Sequence, residues 1–344
     1  MPRSSMCFYV LLACTVFVGT RAHAQGQARY RLTVENTWSE ATHPGAFPFD
    51  AHFSWIGGGT HDDSVSFWDV GVPASPGIQE MAESGATFLL EQELALAVAQ
   101  GGAGSVLAWH HWFCPPDTTN GQCGSMQVEF DVTSDHPLVT LVTMLGPSPD
   151  WFVGVSGLEL HDGNAWVDEV VVDLRPFDGG TRDNNLFQLW GPLTTPPDPV
   201  SEITAASGQL IGPGSLGSFT FTRVGQIVDL GQGLAGDHAP VLSAEGSLLT
   251  GELMTLTASD LPPGRAAWLF LGTGELNAPL LGGVLVPVPF LTAVLPTGAG
   301  TLILSDAMPP GVPSGTGIVV QVWTPDAGGP AGASASNALK LLVP

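Results

Sequence analysis

The sequence has few charged residues, and most of them carry the same sign. Only 12% of its 344 residues are Asp, Glu, Lys or Arg, and 9 Lys and Arg stand against 32 Asp and Glu, which gives a formal net charge of −23. So few cations cannot neutralise the phosphates of a nucleic acid, and an anionic membrane would repel the chain. The composition therefore argues against nucleic-acid binding and favours divalent cations and basic partners.

Long apolar runs are also rare, and the one that stands out lies at the amino terminus. Arg3 precedes an apolar run at residues 6–18, and Ala24 closes a small-residue cleavage motif. This pattern is typical of a signal peptide, residues 1–24, that is cleaved after Ala24. Neither this run nor any later one is long enough to span a membrane. Cys14 follows a Leu-Leu-Ala tripeptide, which leaves a lipoprotein signal as the alternative. We expect a secreted or cell-surface protein.

Cysteine is equally scarce. Of the four in the chain, Cys7 and Cys14 leave with the signal peptide. The other two, Cys114 and Cys123, flank a Pro-Pro-Asp turn. Because exported proteins meet an oxidising environment, we expect a disulfide bond that closes this loop.

Glycine and proline, by contrast, are abundant, with 44 and 29 residues. Frequent turn formers between short apolar runs favour an all-β structure, and the chain has room for two domains. Helices are expected only locally. Ser75 and Pro76 are typical of the cap and first position of a short helix near residues 77–83. The apolar run at 88–99 fits either a buried strand or a helix.

One stretch, residues 145–185, combines two predicted strands with acidic loops. The strands are residues 152–160 and 166–174, and the loops that flank them carry Asp150, Asp178 and Asp183. If the two strands pair as a hairpin, these loops meet at one end of the sheet. Clustered carboxylates are what a hard cation such as Ca²⁺ requires. Spacing alone favours a calcium site no more than ordinary turn and cap chemistry, for which Asp is also suited.

An ordered set of motifs resembles the spondin domain of F-spondin and mindin. The resemblance covers residues 29–224 and implies a C2-like antiparallel β-sandwich, a bound calcium and an adhesive extracellular role without catalysis. The motifs are YRLTVENTW at 30–38, HFSWIGGGTH at 52–61, VSFWDVG at 65–71, PSPDWFVGV at 147–155 and VVDLRPFDGGT at 171–181.

The resemblance also implies which residues hold the calcium. The family's calcium-binding aspartates fall on Asp150, on Asp178 and on the Asp that closes the following turn. The family turn resembles DAGTD, whereas this chain reads DGGTRD at 178–183, with one residue more before the last Asp. Either Asp183 reaches the ion through a bulged loop, or Arg182 occupies the place of the third ligand.

Two other functions remain open. The first is a secreted metal-dependent hydrolase that uses the region of His52, His61 and Asp62, or the pair His110 and His111. No third nitrogen ligand stands at a recognised zinc spacing, so hydrogen-bonded loop residues are the preferred interpretation. The second alternative is a structural envelope component without a ligand. We favour a secreted or surface calcium-binding adhesion module whose partner is an extracellular protein or glycan.

The last third of the chain is expected to form a separate unit. Residues 225–238 are rich in Gly and acidic residues and are predicted to be a linker. Residues 239–344 alternate short apolar runs with Gly and Pro turns, which predicts a second small β-sandwich. The sequence QVWTPDAGGPAGASASNAL at 321–339 resembles a carboxy-terminal β-domain of exported bacterial proteins. We interpret this unit as a stability, spacer or surface-retention module.

Overall fold

The computed structural model describes residues 26–111 and 125–344. These residues form mainly antiparallel sheets, which confirms the all-β prediction. The chain divides into two compact units, Gly26–Arg223 and a second that contains Val224–Pro344. The predicted signal peptide and both cysteines of the predicted disulfide, Cys114 and Cys123, lie outside the described residues.

The first unit contains two sheets and two helices. One sheet has the strand order β5-β1-β11-β8, and the other runs β10-β9-β7-β6-β3-β4, with β2 paired to β6. The elements are β1 Gln27–Asn36, β2 His52–Phe53, β3 Ile56–His61, α1 Pro76–Ser84, α2 Phe88–Gln100, β4 Ala103–Trp109, β5 Met126–Thr133, β6 Leu138–Gly146, β7 Trp151–Glu159, β8 Glu169–Asp173, β9 Phe177–Asp178, β10 Ser201–Glu202 and β11 Gly217–Val224.

Strand periodicity places the core of this unit between its two sheets. In β1 the side chains of Tyr30, Leu32 and Val34 alternate with more exposed neighbours and are fully buried. They share one apolar cluster with Leu141 of β6 and Val153 of β7, which belong to the other sheet. Burying each such aliphatic side chain stabilises the fold by about 1.5–3 kcal/mol. The first unit is therefore a β-sandwich, as expected.

The two helices cover one face of the larger sheet. The hydroxyl of Ser75 accepts a hydrogen bond from the backbone N–H of Ile78, so the predicted cap of α1 is present. The undecided run at 88–99 is helical. Its buried residues, Leu90 and Leu94 among them, pack towards β3, where a side chain at Gly59 would approach Leu94 to 2.5 Å. The glycines of β3 therefore allow α2 to lie against the sheet.

Residues 152–160 and 166–174 pair as a hairpin only at the turn between them, where His161 and Trp166 form an antiparallel bridge and Val167 donates its N–H to the carbonyl of Leu160. Strand β7 pairs with β6 and β9, whereas β8 pairs with β11 in the opposite sheet. Between them Trp166 is buried in the core, so the chain crosses from one sheet to the other. The alternating pattern identified both strands but could not identify their partners, because either sheet offers an apolar face.

The second unit also has two sheets. Their orders are β12-β20-β18-β15-β16, with β19 paired to β18, and β13-β14-β17. Apolar residues of both sheets form one cluster, which includes Leu256 and Val322. The strands are β12 Gln226–Gly231, β13 Val241–Glu245, β14 Leu253–Ser259, β15 Ala266–Leu280, β16 Gly283–Pro296, β17 Leu302–Ala307, β18 Gly317–Pro325, β19 Ala333–Ala335 and β20 Ala338–Leu342.

The predicted linker at 225–238 is part of this second unit. Its residues Gln226–Gly231 form β12, which pairs in antiparallel register with β20. Leu234 then exchanges two backbone hydrogen bonds with Ala335, each of 2.9 Å. The high glycine content suggested a flexible segment, but the backbone hydrogen bonds of an edge strand do not depend on side-chain composition.

Candidate metal centre

A buried carboxylate, Asp150, lies at the start of β7. Its side chain has no exposed surface. One carboxylate oxygen, Oδ2, accepts hydrogen bonds from the backbone N–H groups of Thr181 (2.7 Å) and Arg182 (2.9 Å) and from the Thr181 hydroxyl (3.1 Å). The other oxygen, Oδ1, is buried and accepts no hydrogen bond from the part of the chain that the structure describes. This oxygen can still bind a cation.

A second carboxylate, Asp178, lies beside Asp150 because β9 pairs with β7. In that register Asp178 is opposite Trp151, the residue after Asp150. Its Oδ1 accepts the N–H of Gly180 at 2.8 Å, and its Oδ2 accepts the side-chain amide of Gln209 at 2.7 Å. Strand pairing thus brings together two of the three predicted ligands, through β7 and β9 and not through a pairing of β7 with β8.

Two glycines allow the turn after Asp178 to close over Asp150. The N–H of Gly179 donates to the backbone carbonyl of Asp150 at 2.9 Å, and a Cβ at this position would lie only 2.9 Å from that oxygen. Gly180 has a φ of +69°, and a Cβ there would come within 2.1 Å of the carbonyl oxygen of Asp198. A side chain at Gly180 would therefore push the turn away from Asp150.

The two carboxylates are mutually destabilising without a counter-charge. Burial, together with the charge of Asp178, raises the pKa of Asp150 to about 7. Burial is also the main cause of the raised pKa of Asp178, and the charge of Asp198 adds to it. A nearby cation would favour both ionised forms. The electrostatics of the pair thus suit a bound cation.

The third predicted ligand is not with this pair. Asp183 is exposed, and its N–H donates to the carbonyl of Pro192 at 2.9 Å. Within residues 26–111 and 125–344, no three His, Cys, Asp or Glu side chains come together closely enough to hold a metal ion. A metal between Asp150 and Asp178 would therefore need further oxygen donors of another kind, such as amides or backbone carbonyls.

Arg182 lies next to the buried carboxylate of Asp150. Its backbone binds Asp150, whereas its guanidinium forms a buried ion pair with Glu83 of α1, with 2.5 Å between Nη2 and Oε2. The same side chain donates to the carbonyl of Gly191 at 3.1 Å. Hydrogen bonding and charge from Glu83 raise the pKa of Arg182 above its usual value. Arg182 thus ties α1 to the turn over Asp150 and places a positive charge nearby.

An exposed apolar surface adjoins this turn, and we call residues 186–193 the apolar loop. Its two ends are held by the turn, since Thr194 donates to the carbonyl of Thr181 and Asp183 donates to that of Pro192. The Trp190 ring lies 5.7 Å from the guanidinium carbon of Arg182. Four large apolar side chains of the loop expose between 49% and 61% of their surface, namely Leu186, Leu189, Trp190 and Leu193. Leu210, whose N–H donates to the carbonyl of Asn185, exposes 46%.

The histidines considered for a hydrolase are engaged in other contacts. His61 is buried, and its two ring nitrogens lie 2.8 Å from the carbonyl of Asp62 and from the hydroxyl of Thr140. His110 pairs with Glu91 at 2.8 Å and lies against the Trp55 ring. These contacts agree with the interpretation of His61 as a structural residue.

The other residues of that prediction, His52, Asp62 and His111, belong to no group of three potential metal ligands within residues 26–111 and 125–344. His52 contacts the backbone carbonyl of Asp50, and Asp62 accepts hydrogen bonds from Ser64. His111 is exposed at the end of the described segment. The structure thus places none of these side chains near Asp150 and Asp178.

Comparison with known proteins agrees with the sequence motifs. The sequence model of the Spondin_N family matches residues 28–210, more than half of the chain. The chain belongs to the Spondin_N family. The resemblance inferred from the ordered motifs is therefore confirmed.

Among the family's curated members, Spondin-2 of Rattus norvegicus is 34% identical over 187 residues, which cover 54% of this chain and 55% of that protein. Spondin-1 of Homo sapiens is 35% identical over 190 residues, 53% of this chain and 22% of that protein. The chain thus spans about half the length of the one relative and less than a quarter of the other. No helix among the described residues is long and apolar enough to cross a membrane.

Sequence reasoning missed three residues of this Spondin_N site: Glu83, Asp198 and Gln209. Glu83 lies in a segment that belongs to the resemblance, but nothing in the sequence pairs it with Arg182. Gln209 lies in a loop far along the chain from Asp178, and its amide is chemically unremarkable. Only the folded chain brings Gln209 and Asp198 to Asp178, and Glu83 to Arg182.

Proposed function

We propose that this chain is a secreted or surface-attached adhesion module that binds one structural calcium ion at Asp150 and Asp178 and does not catalyse a reaction. The observation that carries the proposal is the buried Asp150 carboxylate, which has an oxygen without a partner among the described residues and lies beside the half-buried carboxylate of Asp178. A bound calcium would supply the positive charge that lets both carboxylates stay ionised inside the protein.

The donor chemistry supports calcium over a transition metal. The groups around the pair are carboxylate, amide and carbonyl oxygens, which hard cations prefer, whereas zinc favours Cys and His. His61, one of the histidines considered as a zinc ligand, has both ring nitrogens in hydrogen-bond contacts. The metal would be structural because the turn at Thr181 and Arg182 covers Asp150 and leaves it no exposed surface for a substrate.

The apolar loop supports a role in binding another protein. Large apolar side chains that are exposed together mark interaction sites more often than scattered ones do. Trp190, which has a φ of +71°, is held in a left-handed conformation that is uncommon for a bulky residue. The exposed carboxylates Asp183 and Asp198 flank the loop, and the chain is strongly acidic. We therefore propose a protein partner that combines apolar side chains with basic residues.

Adhesion of beads coated with the full chain tests this function. The beads are applied to surfaces of individually purified basic matrix proteins, in calcium and then in excess chelator. Attachment is expected to require calcium, to be lost in Asp178→Asn and to be reduced in Trp190→Ser. The Val98→Ser variant, which changes an exposed apolar residue of α2, is the matched control. Attachment that is equal with and without calcium for every variant would contradict the proposal.

A further inference from the structure

Two buried oxygen atoms in the first unit lack hydrogen-bond partners among the described residues and lie next to the same carboxylate. One is Oδ1 of Asp150, and the other is the amide oxygen Oε1 of Gln209. The Gln209 amide nitrogen donates to Asp178 at 2.7 Å, so its oxygen is on the other side of the same amide group. Burying an unpartnered polar atom costs about 1–3 kcal/mol. Asp150 and Gln209 flank the same carboxylate, that of Asp178, and a ligand there could bind both oxygens once the Gln209 amide has turned.

We propose that Gln209 is the third side-chain ligand of the calcium ion, through its amide oxygen, in the place that the family pattern gives to a third aspartate. This inference rests on the proposed calcium site at Asp150 and Asp178. It explains how the site is completed although Asp183 is exposed and Arg182 is paired with Glu83.

Rotation of its amide group is sufficient for Gln209 to present its oxygen to a cation beside Asp178. Turning the Gln209 amide by half a turn places Oε1 where Nε2 now lies, 2.7 Å from Oδ2 of Asp178. Two oxygens bound to the same calcium at about 2.4 Å are separated by roughly 3 Å, so the spacing already suits neighbouring ligands. Without a cation two oxygens would repel each other at this distance. The amide therefore presents nitrogen to the carboxylate until a cation binds.

The segment that carries Gln209 is fixed in place. The next residue, Leu210, donates its N–H to the carbonyl of Asn185 at 2.9 Å, and the N–H of Gly212 returns to the carbonyl of Gln209 at 3.2 Å. Ile211 is buried in the core of the sandwich. The backbone that follows Gln209 is thus anchored, which reduces the entropy lost when the side chain binds an ion.

An amide in place of a carboxylate has a measurable consequence. A site with Asp150, Asp178 and Gln209 carries two negative charges from its side-chain ligands instead of three. Calcium affinity rises with the number of charged ligands. The Gln209→Glu variant is therefore expected to bind calcium roughly tenfold more tightly than the wild type, and Gln209→Met, which has no ligand oxygen, at least tenfold more weakly.

Calorimetric titration of calcium into the metal-free full chain measures the calcium affinity of the wild type and of each Gln209 variant. Gln188→Met and Gln188→Glu are the matched controls, because Gln188 is an exposed glutamine on the apolar loop, and both should bind calcium as the wild type does. Equal affinity of both Gln209 variants and the wild type would overturn the inference while leaving the calcium site intact. So would a loss of affinity in Asp183→Asn that Gln209→Met does not share.

Two further results are informative. If Gln209→Glu weakens binding as much as Gln209→Met, Gln209 acts as a spacer and not as an oxygen donor, and the inference falls. If the wild type itself binds no calcium, the proposed function fails first. Should Gln209→Met not fold, Gln209→Glu still decides, because unchanged or weaker calcium binding by that folded variant would overturn the inference.

Discussion

Replacing Asp150 with Asn removes a buried charge while keeping the shape of the side chain. The amide oxygen can still accept the hydrogen bonds from Thr181 and Arg182 that the carboxylate accepts. What changes is the response of stability to pH and to calcium. In the metal-free wild type, folding raises the pKa of Asp150 from 3.8 to about 7. The folded protein therefore holds a proton that the unfolded chain releases between these two values.

The sign and size of the pH effect on stability follow from this difference in the pKa of Asp150 between the folded and unfolded states. Where the folded state binds more protons, stability falls as pH rises, so metal-free wild type should lose stability between about pH 4 and pH 7. The difference between a pKa of 3.8 and one of about 7 for Asp150 corresponds to roughly 4 kcal/mol. Asp150→Asn has no such proton to lose. We expect it to be the more stable protein at pH 8 without calcium, and we expect calcium, which stabilises only the wild type, to reduce that difference.

The assay is urea unfolding of the full chain at pH 5 and pH 8, with calcium or with chelator. A hundredfold excess of calcium over its dissociation constant should stabilise the wild type by about 2.7 kcal/mol and leave Asp150→Asn unchanged. Asp162→Asn is the control, since Asp162 is an exposed turn residue that accepts hydrogen bonds from Asn164 and Ala165. A metal-free wild type that is as stable at pH 8 as at pH 5 would refute the reasoning.

Three further substitutions test the packing around the site and in the second unit. Arg182→Met leaves the carboxylate of Glu83 buried without its partner and should lower the free energy of unfolding by about 3–5 kcal/mol. The double variant with Glu83→Leu should recover part of this in urea titrations, and no recovery would contradict a specific pair. Asp326→Ala removes the acceptor of N–H groups from residues 237, 238 and 328 and should cost about 2–3 kcal/mol of the second unit's stability in the same assay, against an unchanged first unit. Gly59→Ala brings a methyl group to 2.5 Å from Leu94 and should lower the melting midpoint, whereas Gly26→Ala, whose methyl group would meet only Ser134 at 3.7 Å, should lower it less. Equal midpoints for wild type and Gly59→Ala would show that α2 can move.

Local patterns in the sequence were sufficient where neighbouring residues decide the structure. The alternation of Tyr30, Leu32 and Val34 predicted β1, and the Ser75-Pro76 pair predicted the start of α1. The 88–99 run stayed undecided because exposed residues such as Leu89 and Leu96 obscure its helical period. Apolar residues on the outer face of a helix carry the same hydrophobic signal as those that pack inside.

Sequence reasoning failed where distant segments decide the structure. The strands on either side of Trp166 were correctly located, but their partners are set by pairing across the sandwich. We expected Asp150 and Asp178 to lie together if residues 152–160 and 166–174 paired as a hairpin. They lie together because β9 pairs directly with β7. Gln209 had no signal in the sequence, since an amide in a loop acquires a role only when the fold brings it to a carboxylate.

The most direct test of this account is the number of calcium ions that the full chain binds at equilibrium. Metal-free protein is dialysed against increasing calcium at pH 7.5, and bound metal is measured for the wild type, Asp178→Asn and the exposed control Asp162→Asn. The account predicts one ion for the wild type and for Asp162→Asn, and none for Asp178→Asn. A wild type that binds no calcium at millimolar concentrations, or an Asp178→Asn protein that still binds one ion with the wild-type affinity, would contradict it.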